Sequence, residues 1–78
     1  MRRTFYDEDF LEWEAYVSGG QPRSEAAARL YFLCLTEPSR RARFVKEESG
    51  NTAEAERKLE QLDDGDLLEL LKRSEPLS

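Results

Sequence analysis

The stretch LYFLCLTEPSRRARF, residues 30–44, decides how this 78-residue chain is read. Seven mostly apolar residues, Leu30 to Thr36, run into Glu37-Pro38-Ser39 and emerge in Arg40, Arg41 and Arg43. Pro38 suits the second position of a β-turn because its ring presets φ, and serine bonds readily to turn backbone. Beyond the turn Phe44 and Val45 point opposite ways before charge resumes. The pattern predicts an antiparallel hairpin of residues 29–36 with 42–47. One feature opposes it. The β-branched residues that favour strands are only Thr4, Val17, Thr36, Val45 and Thr52. An all-α helical bundle is therefore the alternative.

Working outward, TFYDEDFLEWEAYVSGG, residues 4–20, fits two templates. As a helix it places Tyr6, Phe10, Trp13 and Val17 on one face, with Thr4 as cap and Gly19 as stop. As a strand it alternates Leu11, Trp13, Ala15 and Val17 with Glu12, Glu14 and Tyr16, and ends in Gly-Gly. The reading taken is a turn near residues 5–9 followed by a strand over about 10–18. SEAAAR, residues 24–29, has helical propensity, with Ser24 suited to an N-cap.

The C-terminal third reads more firmly. Asn51 or Thr52 caps AEAERKLEQL, whose inner face is Ala55, Leu59 and Leu62, and Glu54–Lys58 is a favourable i, i+4 pair. A second helix starts in DDGDLLELLKR. Asp63 and Asp66 form a variant of the capping box. Acids at the start and Lys72-Arg73 at the end complement the helix dipole. The expected fold is α+β: a small three-stranded antiparallel sheet followed by two short C-terminal helices, in the order βββαα. One domain spans residues 1–78, with 1–9 and 75–78 as less ordered ends.

Composition narrows function. The net charge is −5, and it is uneven: residues 1–45 sum to zero and residues 46–78 carry the whole excess. An acidic chain is a poor non-specific ligand for nucleic acid or anionic membrane. No run of 18 apolar residues exists, so no membrane span is expected. The N-terminus puts acids where an apolar signal core would stand. With the single Cys34, this reads as a cytoplasmic protein. There is no histidine, no phosphate-binding glycine loop and no paired cysteine, so catalysis, cofactors and metals are not expected. Cys34, between leucines, reads as a small core hydrophobe.

Two features remain. Arg40, Arg41, Arg43 and Lys46 form a run without acids over 38–46, while Asp7, Glu8, Asp9, Glu12 and Glu14 form an acidic stretch without bases over 4–22. Pairing between them, within one chain or between two copies, is the leading account. All eight aromatic residues lie in the first 44 positions, and alternation puts Trp13 and Tyr16 on opposite faces of their strand, as it does Tyr31 and Phe32. Two helices cover one face of a sheet, which leaves aromatic surface over, and such surface marks interfaces. The expectation is a protein-interaction module binding a protein partner or itself as a homodimer, with Trp13, Tyr16, Tyr31, Arg40, Arg41 and Arg43 as contacts. The alternative is a small nucleic-acid-binding regulator using the Arg40/Arg41/Arg43 turn.

Overall fold

A computed structural model describes residues 2–18, 29–46 and 52–77. The strands are β1 (Arg2–Tyr6), β2 (Glu12–Ser18), β3 (Arg29–Cys34), β4 (Arg43–Lys46) and β5 (Glu75–Pro76). Helices α1 (Thr52–Gln61) and α2 (Asp64–Arg73) separate β4 from β5. The strands form one antiparallel sheet in the order β1-β2-β3-β4-β5. The α+β class stands and the all-α alternative does not. The hairpin expected over 29–36 and 42–47 is present with the shorter strands β3 and β4, residue 47 lying outside the described residues. The sheet count is corrected from three to five. Residues 2–6 and 75–76, assigned to less ordered ends, are its edge strands, and the first turn falls at Glu8–Asp9, after β1. The helical propensity of residues 24–28 and the Asn51 cap lie outside the described residues.

Register explains why residues 12–18 choose the strand. Trp13 pairs with Phe5 on one side and Cys34 on the other, Ala15 with Arg3 and Phe32, and Val17 with Leu30. As a strand the segment gathers Trp13, Ala15 and Val17 on one core face, whereas the helical pattern would group Trp13 with Tyr6 and Phe10, which are exposed. These side chains, with Val45, share the face covered by α1 and α2. Buried residues along β3 alternate through Leu30, Phe32 and Cys34. They meet Leu59, Leu67 and Leu71 from the helices. Phe5 and Phe32 pack edge to face at 6.0 Å. Burying a side chain of this size contributes roughly 1.5–3 kcal/mol.

The helices are held at their ends. Asp63 caps α2 by accepting from the Asp66 backbone N–H at 2.8 Å, and the Asp66 carboxylate accepts from the Asp63 N–H at 3.2 Å, completing the expected box. The Arg3 guanidinium donates to the carbonyls of Leu59 at 2.7 Å and Leu62 at 2.8 Å, where α1 ends. Arg43 donates through Nε to Ser74 Oγ at 2.7 Å and through Nη2 to the Ser74 carbonyl, just past α2.

The β1–β2 turn is organised by Asp7. One carboxylate oxygen accepts from the backbone N–H groups of Asp9 and Leu11, the other from the Trp13 indole at 2.8 Å. Burial pushes the Asp7 carboxyl up, but the Trp13 indole, the Leu11 and Asp9 N–H groups and the nearby Arg40 charge outweigh it and hold the group below its ordinary value. Phe10, in the same turn, takes φ = 62°, a left-handed conformation rare for a bulky side chain.

Candidate interaction surface

Among the described residues, no helix lies on the second face of the sheet. Cross-strand register assigns its residues, since directly paired residues point the same way. One row runs Arg2, Tyr16, Tyr31, Phe44 and Glu75 across all five strands. A second holds Thr4, Glu14 and Leu33, and a third Tyr6 and Glu12. Leu35 extends that third row, because its N–H donates to the Glu12 carbonyl at 2.8 Å.

The first row is a continuous aromatic strip. Tyr16 and Tyr31 stack with ring centroids 5.5 Å apart and planes 21° from parallel. Tyr31 and Phe44 follow at 6.5 Å. Each end is covered by a guanidinium: Arg2 lies 5.3 Å from the Tyr16 ring centre and Arg29 lies 5.1 Å from that of Phe44. Cations over ring faces are attracted by the ring quadrupole. The three rings are half-buried against each other rather than covered. Toward the turns the face becomes more open, with Leu35 42% and Tyr6 61% exposed. Apolar surface thus continues down the outer side of β3 through Tyr31, Leu33 and Leu35.

Charge on this face is mixed. Arg2 pairs with Glu14 at 2.5 Å, and Glu14 is the more enclosed partner. Glu12 stands beside it on β2, and Lys46 and Glu75 lie on the β4–β5 side. Carboxylates therefore flank the apolar spine on β2.

The expected contact residues divide. Tyr16 and Tyr31 lie together on the open face. Trp13 does not: it is 4% exposed, inside the core with its indole bonded to Asp7. Arg43 points to the helical side as the α2 clamp. Arg40 pairs with Glu37 at 2.7 Å within its own turn. Arg41 is exposed. The three arginines thus have three environments and do not form one anion-binding tip. The acidic stretch is met mainly elsewhere, since Glu14 pairs with Arg2 and Glu8 with Lys72 at 2.6 Å. Phe44, Leu33, Arg2 and Glu75 were missed. The available signal was that Glu12, Glu14 and Tyr16 share one strand face. Two carboxylates and a phenol need water, which identifies the uncovered side.

Other chemistry is sparse. Cys34 is buried and accepts from the Glu37 N–H. Among the described residues no cluster of three or more His, Cys, Asp or Glu could hold a metal, and no helix is long and apolar enough to cross a membrane. The sequence matches no protein-family description, and no curated protein or solved structure is significantly similar to the chain.

Proposed function

We propose that this chain is a protein-interaction module whose working surface is the open face of the sheet. The observation that carries the reading is the aromatic row Tyr16–Tyr31–Phe44, laid across three strands and covered by neither α1 nor α2. Aromatic side chains supply large contact area at low entropic cost, and they concentrate at interfaces for that reason. Leu33 and Leu35 extend the same surface. A polar rim of Arg2, Arg29, Lys46 and Glu75 surrounds it.

Stacked rings beside arginines also suit single-stranded nucleic acid, whose bases stack on such platforms. Here Glu12 and Glu14 stand on β2, beside the path a strand would take over Tyr31 and Leu33. Glu14 is neutralised by Arg2, but Glu12 repels phosphate there and the chain carries a net charge of −5, so a protein surface is the better match.

The test is photo-crosslinking in cells of the source type, with benzoylphenylalanine placed at position 33 on the open face or at position 69 on the outer side of α2. A discrete protein adduct from position 33, missing from position 69 and lost in Tyr16→Ser/Tyr31→Ser, is the expected result. Nucleic acid captured at 33, or equal capture from both positions, would refute the reading.

A further inference from the structure

We infer that the occupant of the open face is a second copy of this chain, packed sheet to sheet about a two-fold axis parallel to β3. This rests on the reading of that face as a protein-binding surface, and it names the partner. The order of side chains across the sheet singles out that partner. β3 is the third of five strands, and Tyr31 and Leu33, with Leu35 just past its end, form an uncharged outward run below Arg29 at its start. An axis along this spine brings uncharged surface against itself and places β1 over β5 and β2 over β4.

The row Arg2–Tyr16–Tyr31–Phe44–Glu75 then meets its own reverse. Arg2 faces the partner's Glu75, Tyr16 faces the partner's Phe44, and Tyr31 lies beside its equivalent at the axis. Each contact occurs twice, as a two-fold interface requires. Cation meets anion at both ends and ring meets ring between them. An unrelated partner would not require the row to be its own complement. Arg29 lies over Phe44, on the β4 side, which draws the two Arg29 charges away from the axis. Sheets stacked in this way sit about 10 Å apart.

Size sets the strength. Five strands make a face roughly 20 Å wide and roughly 17 Å long. Two such faces bury roughly 700 Å² in total, at the small end of the range for weak, transient association. The dimer is therefore expected to form and dissociate in the micromolar range.

Sedimentation equilibrium over a concentration series, on purified protein, tests this with Arg2→Glu, Glu75→Arg and their equimolar mixture. Each single reversal puts like charges at both ends of the row and is expected to weaken the dimer about tenfold. In the mixture both ends become opposite-charge pairs again, so heterodimers should recover wild-type affinity. The mixture also controls for the Arg2–Glu14 pair, which Arg2→Glu breaks and Glu75→Arg leaves intact. A wild-type dimer whose affinity the mixture does not recover would overturn this geometry and leave the binding face standing. A wild type that stays monomeric throughout would overturn the second copy as occupant. Failure of the binding face itself would appear separately, in the position 33 crosslinks.

Discussion

Arg3 and Arg43 lie three strands apart on one cross-strand row, Arg3–Ala15–Phe32–Arg43–Pro76, and each secures the C-terminal end of a different helix. Arg3 reaches the last carbonyls of α1, and Arg43 reaches Ser74 after α2. Helix C-termini present unsatisfied carbonyls and partial negative charge, and a guanidinium answers both. The helical layer is thus fastened to the sheet from β1 and from β4, with Ala15 and Phe32 between the two points.

Losing either clamp should cost stability without touching the open face. Arg3→Ala and Arg43→Ala are each expected to lose about 2 kcal/mol, the scale of charge-assisted hydrogen bonds to buried acceptors. Arg3→Lys should recover only part, because an ammonium lacks the fork that spans two carbonyls. Urea unfolding followed by Trp13 emission measures this. Normal stability in Arg43→Ala would contradict the clamp.

Adjacent residues on β3 should behave oppositely. Phe32→Ala empties the core centre and is expected to cost about 3–5 kcal/mol, enough to unfold much of a domain this small. Leu33→Asp, on the open side, should keep the native circular dichroism spectrum and lose association. If Leu33→Asp unfolded the protein and Phe32→Ala did not, the assignment of faces would be inverted.

Asp7 gives an acid-dependent term. Its folded-state carboxyl is held below its ordinary value, so the charged form is favoured by folding. The resulting stability is fully present above the unfolded-state value and is lost as pH falls through the depressed folded one. Asp7→Asn removes that dependence. The gap in unfolding free energy between wild type and Asp7→Asn should therefore narrow on acidification below about pH 4. A gap that stays constant with pH would show that the carboxylate charge contributes nothing.

Phe10 combines a left-handed backbone with 84% exposure, so its side chain returns little for the strain. Phe10→Gly accepts that φ freely and is expected to raise stability by roughly 0.5 kcal/mol after the glycine entropy term. A lower thermal midpoint would mean that the ring packs against the fold.

What the sequence made legible follows from where local chemistry dominates. The helices announced themselves through Asp63, Asp66 and the leucine spacing, because caps are local. The β3–β4 hairpin was marked by its Pro-Ser turn. β1 escaped because its inward positions are Arg3 and Phe5, and a buried arginine stem erases the alternation that identifies strands. β5 has two residues and no pattern of its own. It exists because Arg43 and the Leu77 N–H, 2.8 Å from the Ala42 carbonyl, hold the chain there. Trp13 was misplaced for a different reason. Alternation tells which residues share a face, while the choice of covered face depends on the helices that arrive later in the chain.

The clip between β4 and β5 also sets an order of events. β1 through β4 pair with their sequence neighbours, so each closure spans a short segment. Joining Arg43 to Ser74 closes a separation of 31 residues and waits on both helices. Loop entropy therefore favours early pairing of the meander and late arrival of β5. In hydrogen exchange the amides of β3, laddered on both sides, should open only with the whole molecule. The Leu77 amide should exchange first, as the strap lifts while the meander stays folded.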